Sequence, residues 1–93
     1  MESAEIIRYL CAKNLDAYQR GFMYMVDVLN ILCAYDVNTV SIDKVIQPTL
    51  EAVAKRHSVK RGTICKEIHK VCADAGLKGI SGSIIRGMYY DLV

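Results

Sequence analysis

Apolar residues recur along most of this chain at the three- and four-residue spacing of a helix, with polar punctuation between the runs. Ser3 can cap a first helix in which Ile6, Ile7, Leu10 and Cys11 fall at that spacing. The stretch NLDAYQR, Asn14 to Arg20, interrupts the pattern. From Gly21 the run FMYMVDVLNILCAY is almost wholly apolar, which predicts a central buried helix ending near Asp36. VNTVS then reads as a β-branched connector, and VNTVSI is the one strand-like composition in the chain. Ser41 or Asp43 can cap a short turn through Ile46, and Pro48 suits the first turn of a helix, where its missing N–H costs nothing. That helix is predicted over Thr49 to His57, with Leu50, Val53 and Ala54 inward. Ser58 and Val59 make a tight turn, a new helix opens at Lys60 or Arg61 and runs to Ala75, and Gly76 stands just past its end. A last helix from Ser81 or Ser83 to Leu92 repeats Ile84, Ile85, Met88, Tyr89 and Leu92. The expectation is an all-α fold, a compact bundle of five to six helices making one domain over residues 1–93.

Composition narrows the class. With 53% apolar residues, 24% charged, one Pro and six Gly in 93 positions, the chain is globular, and its size suits one domain. MESAEIIRYL has no basic leader region, and no run approaches the ~18–20 apolar residues of a membrane helix. The chain is expected to be cytoplasmic, with no membrane partner. Without a secretory signal, Cys11, Cys33, Cys65 and Cys72 do not imply a disulfide framework. Cys11 and Cys33, in RYLCAK and NILCAY, are expected as small buried hydrophobes.

Charge changes the picture more. The formal net charge is only +2, yet Ala54 to Lys70, AKRHSVKRGTICKEIHK, holds six of the twelve Lys and Arg, both His and a single carboxylate. A mildly acidic body carrying one basic segment fits a surface that meets a polyanion. On a helical wheel, Ile64, Ile68, Val71 and Ala75 share one side of the Arg61–Ala75 helix, with Cys72 close by. Gly62, Thr63, Lys66, His69, Lys70 and Ala73 share the other, and no carboxylate lies among them. Two helices joined by a short turn, with the small Ala54 allowing close approach, make a helix-turn-helix pattern. Thr63, Lys66, His69 and Lys70 would then face bases in a major groove of double-stranded DNA. Lys55, Arg56, Lys60 and Arg61 would meet phosphates. The plainer reading is a solvated cationic face on an ordinary bundle. A zinc site from Cys65, His69, Cys72 and His57 lacks any C-x2-C pair, and Cys72 and His69 turn to opposite sides. Cys65 as a nucleophile has no orienting partner or oxyanion donors. Neither an enzyme nor a cofactor is expected.

Several segments resemble the C-terminal DNA-binding effector domain of the master sporulation response regulator family of endospore-forming bacteria. RGFMYMVDVL is similar to that family's K-G-Y-x-Y-L-x-E-A-I stretch, and AVAKRHSVKRGTICKEIHK is similar to its helix-turn-helix, I-A-K-K-Y-N-T-T-x-S-R-V-E-R-A-I-R-H. The likeness runs from about Ile6 to Leu92, anchored on Gly21, Tyr24, Ala54, Lys55, Ile64 and Ile68. It implies an all-α domain that binds DNA and regulates transcription. The family's base-contacting Arg-x-Glu-Arg falls on Thr63, Cys65 and Lys66, and its later Arg-His pair on His69 and Lys70, so Cys65 joins the base-facing set. Only Lys66 keeps the charge of its counterpart Arg, and it lacks the Arg fork. The family's phosphoacceptor receiver domain has no room here, so control by phosphorylation is not expected. The resemblance further implies a homodimer on DNA, with Met88, Tyr89, Tyr90 and Leu92 as contacts, although a core role serves those residues equally well. A different class of function stays open beside it: a protein-interaction module that keeps the effector fold and engages a related regulator or RNA polymerase.

Overall fold

The apolar run after Gly21 becomes the helix on which the others are assembled. The computed structural model describes residues 2–35 and 41–93, and its helices are α1 (Ser3–Ala12), α2 (Arg20–Leu32), α3 (Ile42–Arg56), α4 (Arg61–Asp74) and α5 (Ser81–Leu92). There is no strand among the described residues, so the fold is all-α, as the periodicity predicts. The connector VNTVS lies outside the described residues except for Ser41, as does the expected end of the central helix at Asp36.

Each of the other four helices packs against α2. It buries Gly21, Phe22, Tyr24, Met25, Val28, Leu29 and Leu32, an arc too wide for a single neighbour. Ile6 and Leu10 of α1, Leu50 and Val53 of α3, Ile64 and Ile68 of α4, and Ile85 and Tyr89 of α5 close around it, all essentially without solvent contact. Each such side chain contributes about 1.5–3 kcal/mol as an upper bound. At the end of the bundle Tyr9 of α1 donates a 2.5 Å hydrogen bond to Asp91 Oδ2 of α5. Burial first, then this bond to a carboxylate, push the Tyr9 hydroxyl well above its usual pKa.

Three helices stop in the same way. Leu15 N–H reaches back to Leu10 O, Val59 N–H to Ala54 O and Leu77 N–H to Cys72 O, at 3.2, 3.0 and 2.9 Å. The residue before each, Asn14, Ser58 and Gly76, takes a left-handed φ of 68, 56 and 83°. This is the Schellman arrangement, which returns the next apolar residue to the core and satisfies two terminal carbonyls. The Ser58–Val59 turn and the Gly76 stop were legible from sequence.

Two expectations are corrected. Pro48 does not begin a helix; it lies inside α3, which runs unbroken from Ile42 to Arg56. Ile42, Ile46, Thr49, Leu50 and Val53 form one buried stripe, and a break at Pro48 would take Ile42 and Ile46 out of register with it. Their burial outweighs the roughly 3 kcal/mol that an interior proline costs. The bond lost at Pro48 belongs to the carbonyl of Lys44, an exposed residue of the first turn, and Thr49 Oγ1 donates to the neighbouring Val45 O at 2.7 Å. Cys11 is exposed rather than buried, and Cys33 is half-buried. Helix α1 rests mainly on α2 and buries only the narrow stripe through Ile6 and Leu10, leaving Ile7 and Cys11 on its flank.

Helices α2 and α4 approach closely enough at Gly21 to leave no room for a side chain. A Cβ placed on Gly21 would stand 2.1 Å from the Glu67 carbonyl oxygen and 2.8 Å from Val71 Cγ1. Backbone cannot yield as a flexible side chain does, so Gly21→Ala is expected to force the two helices apart and cost at least 1–3 kcal/mol, the usual range for overpacking. Gly87→Ala in α5, where the new methyl meets open space, is expected to stabilise by about 0.5–1 kcal/mol through helix propensity. Urea denaturation of the two variants checks both signs.

Candidate nucleic-acid interface

Helices α3 and α4 are joined by residues 57–60 and pack on one another. On α4 the buried residues are Ile64, Ile68, Val71 and Cys72. Gly62, Thr63, Lys66, His69, Lys70 and Ala73 are exposed, as the wheel predicts. That outer arc carries no carboxylate. Glu67 sits half-buried at its edge, where its backbone meets Gly21. Asp74 closes the far end, and its Oδ2 accepts a 2.8 Å hydrogen bond from Gln19 Nε2.

The structure brings Thr63, Lys66, His69 and Lys70 onto one surface and leaves Cys65 off it. Cys65 is half-buried against the core, about 100° around the helix from Lys66. Its carbonyl also accepts from Ser81 Oγ at 3.2 Å, which holds the start of α5 along that side. Cys65 therefore does not belong to the outward set that the resemblance implies.

The four cations of the turn divide into two pairs. Arg56 Nη1 lies 3.8 Å from Asp27 Oδ1, and Arg61 Nε lies 3.8 Å from Glu51 Oε1. Arg61 Nη1 also donates to Gln47 Oε1. The Arg61–Glu51 pair is exposed and worth about 0–1 kcal/mol, and Arg56 is itself exposed at 67% and stands at the far limit of an ion pair from the largely buried Asp27. Lys55 and Lys60 make no ion pair with another described residue, and the same holds for Lys66 and Lys70. These ammonium groups, without a carboxylate partner among the described residues, run from the end of α3 over the turn and along α4.

What fixes the turn was not legible beforehand. His57 Nε2 and Asp27 Oδ2 lie 2.6 Å apart, with both side chains largely buried. The His57 ring meets the Tyr24 ring edge-on, with centroids 5.0 Å apart. The end of α3 is thereby tied to the middle of α2. The available signal was the lone Asp27 inside the apolar run MVDVL, since a carboxylate on a buried helix needs a partner. With His57 so engaged, Cys72 in the core and His69 in solvent, the residues weighed for zinc point in different directions. Among the described residues no group of three or more His, Cys, Asp or Glu side chains is placed to hold a metal ion.

The residues suggested as dimer contacts separate as well. Met88 and Tyr89 are buried in this chain's own core, which removes them from any partner's reach. Leu92 is half-buried, and Tyr90 remains exposed. Among the described residues no helix is long and apolar enough to cross a membrane.

No protein-family model, curated protein or solved structure matches the chain. The chemistry of the surface has to follow from its own residues: an exposed helical arc offering ammonium groups, a hydroxyl and an imidazole, flanked by further cations.

Asp27→Ala leaves His57 partly buried without its partner and is expected to lower stability by about 1–3 kcal/mol in urea denaturation. Burial pushes the Cys72 thiol up to about 11. The folded state thus holds its proton more tightly than the unfolded chain, where a thiol titrates near 8.5. The stability this contributes is complete below the unfolded value and is lost as pH rises through the folded one. At pH 8, iodoacetamide is expected to label Cys11 readily and Cys72 only after unfolding, which peptide mass mapping resolves.

Proposed function

We propose that this domain binds double-stranded DNA and regulates transcription, with α4 lying in the major groove. The observation that carries the reading is the carboxylate-free outer arc of α4, in which Thr63, Lys66, His69 and Lys70 are all exposed and neither lysine makes an ion pair with another described residue. Thr63 and His69 each present groups that exchange hydrogen bonds with base edges, and Lys66, at the centre of the arc, donates to guanine acceptors. Lys55 and Lys60, with Arg56 and Arg61 once released from their weak carboxylate contacts, supply phosphate contacts around the turn. The likeness to the sporulation regulator effector domain supports the same use of the two helices. Because lysine stands where that family has arginine, affinity rests more on phosphates than on forked contacts to guanine.

Titration of fluorescent duplexes over a range of salt tests this. About four phosphate contacts give a slope of log K against log salt near −4. Lys66→Ala is expected to weaken binding by roughly tenfold, with the largest loss on preferred sequences. Lys55→Ala is expected to weaken all duplexes alike and to flatten the slope by about 0.9. Absence of binding to any duplex at low salt would sink the reading and leave the surface to a protein partner such as RNA polymerase or a related regulator.

A further inference from the structure

We infer that the end of the turn between α1 and α2, residues 16–19, together with Arg20 at the start of α2, is a second nucleic-acid contact that grips the sugar-phosphate backbone beside the C-terminal half of α4. The inference rests on the DNA-binding reading above and adds to it a surface far from the α3–α4 turn in sequence.

The turn is short and anchored. Leu15, buried and held by its bond to Leu10 O, fixes one end, and Gly21 and Phe22 in the core fix the other. Within it, Asp16 Oδ1 accepts from Tyr18 N–H at 2.9 Å, and Gln19 N–H donates to Asp16 O at 3.1 Å. Gln19 then reaches across to Asp74 of α4. The backbone is therefore held, yet the side chain it displays is Tyr18, fully exposed at 100%. No described residue packs on this ring. Beside it, Arg20 is exposed and makes no ion pair with another described residue.

The turn is fastened where it borders the outer arc of α4. Gly21 meets α4 at Glu67 and Val71, and Gln19 meets it at Asp74. Lys70 lies three residues after Glu67 and four before Asp74, which puts it on that same flank of the helix. Tyr18 and Arg20 thus stand along the Lys70 edge, whereas Lys55 and Lys60 stand at the N-terminal end of α4. A helix about 10–12 Å across nearly fills a major groove about 12 Å wide, so groups along its flanks meet the backbones that border the groove, and Tyr18 and Arg20 stand on the Lys70 flank. A guanidinium and a tyrosine hydroxyl are both phosphate donors, and the Tyr ring covers apolar sugar surface. The predicted partner chemistry is a duplex backbone, read without regard to sequence.

Binding is measured for the wild type and for Tyr18→Ala, Arg20→Ala, Gln19→Ala and Lys66→Ala, each checked for wild-type helicity and unfolding midpoint. Arg20→Ala is expected to lower affinity roughly fivefold on every duplex and to flatten the salt slope by about 0.9. Tyr18→Ala is expected to cost roughly three- to tenfold with the slope unchanged, and Tyr18→Phe to recover part of it. Gln19 is a positioning residue: its replacement should weaken binding in the wild type and add nothing once Tyr18 and Arg20 are both replaced. If Tyr18→Ala and Arg20→Ala bind as the wild type does while Lys66→Ala is weakened, this second contact is refuted and the α4 reading stands. If the wild type binds no duplex at low salt, both fall together.

Discussion

The backbone of α2 touches the backbone of α4 at Gly21, and the placement of the cationic surface depends on that contact. Only a residue without a Cβ lets the Glu67 carbonyl come so near. Glycine at the second position of a helix costs at most about 1 kcal/mol of propensity. The approach it permits seats Ile64, Ile68 and Val71 in the core, a return several times larger. With those three residues held inward, helical geometry leaves Thr63, Lys66, His69 and Lys70 no side but the outer one. The exposure of the cations follows from the burial of their neighbours.

The same side of α2 also sets the other helix of the pair. Gly21, Tyr24 and Asp27 follow one another at three-residue steps along α2. The first receives α4, and the other two receive His57 at the end of α3 through ring contact and hydrogen bond. Between these anchors the turn has little freedom: Ser58 is left-handed and Val59 folds back onto the core. A serine in that conformation is less comfortable than a glycine, and the hydrogen bonds to Lys55 and Ala54 carbonyls offset it. The cations around the turn are therefore carried on a base held at both ends, with Lys55 and Lys60 making no ion pair with another described residue.

Much of this was legible in the sequence, for physical reasons that particular residues make plain. The α4 wheel held because Ile64, Ile68 and Val71 are strongly apolar and the opposite arc strongly polar, so only one rotation of the helix satisfies both. Pro48 misled because its local preference for a first turn competes with a stripe of buried side chains whose register is visible only when Ile42 and Ile46 are known to be inside. Cys65 was placed outward by likeness, and packing placed it half inward, since a thiol carries too little polarity to declare a side. Met88 and Tyr89 fitted a core or an interface equally well by composition, and only the position of α5 against α2 and α3 decided. Asp27 with His57 was missed altogether, because a pair thirty residues apart leaves no periodic trace.

If the domain binds DNA as proposed, the composition of its surface bears on what kind of reader it would make. Its outer arc offers two lysines, a threonine and a histidine, with no arginine, asparagine or glutamine. The strong pairings in a major groove are bidentate: arginine with guanine, asparagine or glutamine with adenine. A lysine ammonium is a point charge on a flexible stem; it loses more rotamer freedom per bond and discriminates less. The arginines of this region lie instead at Arg56 and Arg61, beside the turn, where they meet Asp27, Glu51 and Gln47 of the same chain. Under the proposed DNA-binding reading the forked cations would sit at backbone-facing positions and the point charges at base-facing ones, the reverse of an arrangement tuned for stringent sequence reading. On that proposal such an interface would draw its affinity from counterion release and its selectivity from one or two positions, above all those opposite Thr63 and His69, where hydroxyl and imidazole can accept as well as donate.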